Sequence, residues 1–233
     1  MNRSFGISRA LLTFSGLALG VWLLAGSAPL AAAQTVRGQL AVSGLGPRTR
    51  AVLTSHWEEW NGAVARREAR LAISKQLTVV LTGDAPATPL TYRIRGGALE
   101  ADTVVVRTGS NFTVENTDIF DHELSADGLA TFGKLATAPG QGRTIAAAAS
   151  GKWIIKDEAN PSFAGHLVAV NQVVARATLD DTGRFVVSEV PPGNYTLAVF
   201  YAGEEVASQP LTVGAVREVT VAPIAVKVTP KSR

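Results

Sequence analysis

From Gln34 onward, this 233-residue chain is a succession of short apolar runs, each closed by a turn residue. TVRGQLAV (35–42) alternates, which puts Val36, Gly38, Leu40 and Val42 on one face of a strand. LTVVLTG (77–83), TVVVRTG (103–109), NFTVEN (111–116), KWIIK (152–156) and HLVAV (166–170) are rich in β-branched residues and end near Gly, Asn or Asp. RFVVSEV (184–190), YTLAVFY (195–201) and REVTV (217–221) continue the series, and Tyr195, Leu197, Val199 and Tyr201 share one face at period two. Many short strands with closely spaced turns predict an all-β protein of sandwich or barrel type. The chain has no cysteine, so neither disulfides nor a thiolate metal site supports the fold, and the apolar core must do so alone.

The N-terminus has a different character. Arg3 and Arg9 precede the apolar run ALLTFSGLALGVWLLAG, and SAPLAAAQ follows it. Basic, apolar and small-residue segments in that order predict a secretory signal peptide over 1–33, cleaved after Ala33, with Ala31 and Ala33 meeting the small-residue rule. An uncleaved anchor is the alternative, since the run is almost long enough to span a bilayer. In that case the segment would be the only membrane contact. The expected location is therefore the periplasm or the exterior. The signal holds two of the basic residues behind the formal net charge of +3, so the rest is nearly balanced. A nucleic-acid binder needs a concentrated basic face, and none is expected here.

One stretch departs from the β pattern. Residues 55–75 are charged and alanine-rich, and Trp57, Trp60, Val64 and Leu71 recur at near-helical spacing. A short helix packed on the core is expected, with a tryptophan platform for a sugar or partner as the alternative.

The segment 104–170 resembles the cupredoxin domains of secreted bacterial proteins, in the group described as methylamine-utilization-like. That family shows N-x-D-x-x-x-H, then a Pro-Gly turn, then C-x-x-H-P-x-M-x-G before a last strand. Here Asn116 and His122 keep the first spacing, and Pro161 and Gly165 keep the frame of the second. The cysteine position holds Asp157, the histidine position Asn160 and the methionine position Phe163. The resemblance implies a Greek-key sandwich whose copper ligands are mostly missing, because blue-copper chemistry needs a thiolate and two imidazoles.

The C-terminal third resembles a carboxypeptidase regulatory-like, or transthyretin-like, sandwich. It carries the family's D-x-x-G-x-F at Asp180, Gly183 and Phe185, and V-P-P-G-x-Y-x-L-x-V from Val190 to Val199. Glycine suits the first turn and proline the second. The family's opening strand lies far upstream at 36–42, and 77–83 resembles the next one. The expected organisation is N-terminal strands over 34–90 belonging to the regulatory-like sandwich, a cupredoxin-like domain over 91–172, the rest of the sandwich over 173–224, and a tail over 225–233. Two sequential domains, or one merged sandwich, are the alternatives.

Known catalytic spacings are missing from the sequence. His122 opens HEL, but a zinc-protease motif needs a second histidine where Ala126 stands. There is no G-x-S-x-G, no phosphate-binding G-x-x-x-x-G-K-[ST] (Gly128 to Lys134 has the spacing, but Leu135 stands where Ser or Thr is required) and no dinucleotide fingerprint. His122, Asp157, Asn160 and Phe163 are the candidate binding residues. Asp157 is expected to accept a hydrogen bond from His122 and fill the former pocket. The alternative is a nitrogen- and oxygen-ligated divalent ion at His122, Asp157 and Asn160. His166 is expected to be an ordinary strand residue. The function expected is exported, non-enzymatic binding or scaffolding, without a cofactor or metal and with an envelope protein or glycan as partner. A metal-binding or electron-transfer cupredoxin with a non-blue site is the alternative.

Overall fold

The computed structural model describes residues 34–44, 72–215 and 217–229. The signal segment, the tryptophan pair Trp57 and Trp60, and His56 lie outside the described residues. No helix among the described residues is long and apolar enough to cross a membrane.

The strands in chain order are β1 (Gln34–Ser43), β2 (Leu77–Thr82), β3 (Leu90–Ile94), β4 (Thr103–Arg107), β5 (Asn111–Asn116) and β6 (His122–Ala126). They continue with β7 (Leu135–Thr137), β8 (Gly142–Ala146), β9 (Gly151–Asp157), β10 (Gly165–Val170), β11 (Val173–Arg176) and β12 (Thr178–Leu179). The last are β13 (Arg184–Val190), β14 (Gly193–Tyr201), β15 (Glu204–Val213), β16 (Glu218–Thr220) and β17 (Ile224–Lys227). One helical turn, α1 (Ile73–Gln76), precedes β2.

Four sheets result: β12-β13-β1-β16 with β17 also on β1, β11-β2-β14-β15, β4-β10-β9-β6-β7, and β3-β5-β8. Three apolar clusters lie between them, and period-two alternation assigns each side chain to one cluster. In β2, Leu77, Val79 and Leu81 join Val36, Leu40 and Phe185 of the first sheet, and so do Leu197 and Val199 of β14. The opposite faces of β2 and β14 present Val80, Ala198 and Phe200 to Val105 of β4 and Val168 of β10. The other faces of β4 and β10, with Val104, Val106, Leu167 and Ala169, pack on Tyr92, Phe112, Val114 and Ile145. The molecule is thus a four-layer stack of sheets. Its two inner sheets are apolar on both faces where they meet, which explains the unbroken apolar runs in 79–81, 104–106 and 197–201.

The chain enters and leaves the middle of this stack at a single place. After β2, the Gly83 amide donates to the Gln172 carbonyl at 2.8 Å, and β11 then pairs antiparallel to β2. β1 pairs with β13, β16 and β17, and β2 pairs with β14. The segments on either side of 90–170 therefore share one pair of sheets.

Residues 225–233 were expected to trail away as a tail, and their first part does not. Ile224–Lys227 forms β17, parallel to β1, with Ile224, Val226 and Val228 buried. The alternation of IAVKV carries this strand, and its place after Pro223 near the chain end hid it from a reading by turn punctuation.

Both turns anticipated around β13 and β14 have the expected chemistry. Asp180 Oδ1 accepts from the Thr182 and Arg184 amides at 2.8 and 2.9 Å, and Gly183 takes φ +81°. The Tyr195 hydroxyl donates to the Pro191 carbonyl at 2.9 Å and fixes the proline turn.

Candidate functional site

The candidate site lies at one end of the β4-β10-β9-β6-β7 and β3-β5-β8 sandwich, where four loops meet: 95–98, 117–121, 138–141 and 157–164. Asn116, the last residue of β5, holds two of them. Its side-chain amide donates to the Phe120 and Thr137 carbonyls, both at 2.8 Å, and its Oδ1 accepts from the Asp118 amide at 2.9 Å. Its backbone carbonyl accepts from Gly140 at 2.8 Å, in the Pro139-Gly140 turn. A buried asparagine with all these partners fixes the loop path that leads into His122.

His122 opens β6 and is fully buried. Its Nδ1 lies 2.6 Å from Asp157 Oδ2, and its Nε2 lies 3.0 Å from Asp118 Oδ2. An ionised carboxylate only accepts hydrogen bonds, and neutral imidazole has a single N–H. The imidazolium form satisfies both contacts at once. Four backbone amides donate to the other lone pairs of the two carboxylates. Gly96 and Gly97 donate to Asp118 at 2.5 and 2.8 Å, and Glu123 and Ala159 donate to Asp157 at 2.8 and 3.0 Å. Charge-assisted bonds of this kind are stronger than neutral ones.

Burial works to raise the Asp118 pKa. The Gly97 and Gly96 amides and the His122 ring outweigh it and hold the carboxyl below its ordinary value. Gly96 and Gly97 both have positive φ, +63° and +72°, which lets two successive amides converge on one side chain.

The remaining candidate residues surround this cluster. Phe163 is buried, with its ring centroid 6.3 Å from that of His122. Asn160 does not touch His122. Its amide donates to the Gly97 carbonyl at 3.1 Å, and its Oδ1 accepts from the Ser162 hydroxyl at 2.6 Å. The structure thus joins His122, Asp157 and Phe163 in one pocket and places Asn160 at its rim as a loop staple. His166 lies on β10 opposite Ile154, against the turn at Gly203.

Sequence reasoning missed Asp118. It stands four residues before His122, inside the N-x-D-x-x-x-H pattern, and that spacing was its available signal. It also missed Gly96 and Gly97, whose role depends on the parallel pairing of β3 with β5, which sets the loop after β3 beside the loop after β5.

The donor set does not suit a blue-copper ion. There is no thiolate, Phe163 supplies no donor atom, and each His122 nitrogen faces a carboxylate on opposite sides of the ring. Among the described residues, no three His, Cys, Asp or Glu side chains are arranged to hold a metal ion. The carboxylates converge on the imidazole instead of on a shared point in space.

No family model and no curated protein matches this chain. Solved structures align with part of it. Amicyanin from Paracoccus versutus is 16% identical over 41% of this chain and 99% of its own, with a TM-score of 0.32. A reduced amicyanin variant is 14% identical over 40% of this chain and 98% of its own, also at 0.32. A copper-containing nitrite reductase from Thermus scotoductus is 14% identical over 36% of this chain and 23% of its own, with a TM-score of 0.32. These likenesses are to cupredoxin folds and concern the fold alone.

Proposed function

We propose that this chain is an exported β-sandwich protein that binds an envelope protein or glycan without catalysing a reaction. Its contact surface is the loop end around His122. The observation that carries this reading is the occupancy of the His122 ring. Both nitrogens are engaged by carboxylates, so His122, Asp157 and Asp118 hold one another. Such a cluster organises loops; it offers no open coordination position and no accessible general base. Loops on a rigid β frame are where binding residues concentrate.

The test pairs metal analysis with capture of a partner. The full chain, purified from the envelope fraction and dialysed against a chelator, is expected to carry no stoichiometric metal and to retain its fold. The same protein, immobilised, is expected to retain a specific envelope component. Stoichiometric copper or zinc after dialysis, or metal-dependent electron transfer, would overturn the proposal in favour of a metal-carrying role.

A further inference from the structure

We propose that Ile119 and Phe120 form a preformed apolar knob, which seats in an apolar pocket rimmed by lysine or arginine side chains on a protein partner. This deepens the binding reading above and rests on it. Ile119 is 94% exposed and Phe120 47% exposed, side by side at the tip of the 117–121 loop. Exposed apolar residues are common singly, but these two sit on a loop whose backbone is tied down at Thr117, Asp118 and Phe120. Asn116 holds the Phe120 carbonyl and the Asp118 amide, and the Asp118 side chain is held by two glycine amides and the His122 ring. The Phe120 ring rests 4.8 Å from the His122 ring and would lie 4.0 Å from a Cβ on Gly97. Phe120 is therefore the base of the knob and Ile119 its tip. A segment held in one conformation gives up little entropy when a partner covers it.

Charge selects the partner. The knob reads Asp118-Ile119-Phe120-Asp121, an apolar pair between two carboxylates. Across the four loops of this end, Asp118 and Asp157 are turned into the His122 cluster, the exposed acidic residues are Asp121 and Glu158, and Arg95 is the one Lys or Arg. A rim of Lys or Arg complements the exposed carboxylates of Asp121 and Glu158 and sets orientation, while the apolar floor takes Ile119.

The test uses the full chain with a photo-cross-linking amino acid at Ile119, and a control chain with it at Thr182 in the far turn of the other sandwich. Both are irradiated in envelope extract after circular dichroism shows an unchanged fold. The expected result is one protein adduct from position 119 and none from 182. Its mapped peptide should come from an apolar site flanked by Lys or Arg. With that partner purified, Ile119→Asp should weaken binding at least about tenfold. Asp121→Lys should weaken it several-fold, with recovery when the partner's basic residue is reversed. An adduct between two copies of this chain, an adduct to lipid, or a partner site without basic residues would overturn the knob. So would affinity unchanged by Ile119→Asp or by Asp121→Lys. Capture from 182 alone overturns the knob and leaves the binding reading standing; no capture from either position overturns both.

Discussion

The Tyr92 hydroxyl replaces a missing strand at Val105. It donates to the Val105 carbonyl at 2.7 Å and accepts from the Val105 amide at 3.0 Å. β4 is the edge of its sheet, so these two backbone groups have no ladder partner, and they are buried. Burial pushes the phenol upward against the opposing influence of Arg176 and the Val105 hydrogen bond, which keeps the proton available for donation. Tyr92→Phe removes one oxygen and strands both a donor and an acceptor. A loss of about 2 kcal/mol or more is expected, because each orphaned buried group costs about 1–3 kcal/mol. The midpoint of denaturant unfolding measures it, and a change below about 0.5 kcal/mol would contradict the edge-capping role.

His122→Leu removes the ring that both carboxylates hold, one of them without exposed side-chain surface. Breaking a buried pair from one side is expected to cost about 3–5 kcal/mol. Combining it with Asp157→Asn removes the uncompensated charge, so the double variant should be more stable than His122→Leu alone. Additive losses in such a cycle would rule out direct coupling of the pair.

Acid should weaken the loop end through Asp118. Its native pKa is depressed, so its stabilising contribution is fully present above the unfolded carboxylate value of about 3.9. That contribution is lost as pH falls through the lower native value. Asp118→Asn is expected to flatten the acid limb of the stability curve below about pH 4. Identical acid limbs in wild type and variant would refute the assignment.

Gly38 and Phe185 are matched across β1 and β13, and the ring lies over the glycine. A Cβ at Gly38 would fall 2.4 Å from Phe185 Cζ. Gly38→Ala is therefore expected to destabilise by about 1–3 kcal/mol, the range for overpacking. Thermal unfolding of the variant tests this, and a neutral result would mean the ring moves aside freely.

Protein recovered from the envelope should begin at Gln34. Intact mass distinguishes this from a chain that keeps Met1 and stays with the inner membrane, which would favour the anchor.

The readable part of the fold was the part written in side-chain period. Alternation in 35–42 and 195–201 gave the faces of β1 and β14, and the Asn116–His122 spacing led to the candidate site. The Asp157 contact was expected from its position alone, because a buried histidine needs a partner. What escaped depends on long-range placement. Asp118 bonds Gly96 and Gly97 because β3 and β5 run parallel, side by side, and no local pattern encodes that neighbour. The second carboxylate on His122 was therefore invisible until the loops were assembled. The four-layer stack was only half legible: unbroken apolar runs in 79–81 and 104–106 mark strands buried on both faces, but not which strands face each other.

The bond from Gly83 to Gln172 has a kinetic consequence. Asp84 and Gln172 are 88 positions apart, and the Gln172 side chain also donates to Asp84 at 2.6 Å. Joining β2 to β11 through a disordered segment of that length would carry a loop-closure penalty that grows with the logarithm of its length. If the intervening sandwich folds first, it brings its own two ends together, and β2 and β11 then meet as though a short hairpin joined them. Contacts distant in sequence become local in effect, and the slow step of assembly moves into the inserted segment.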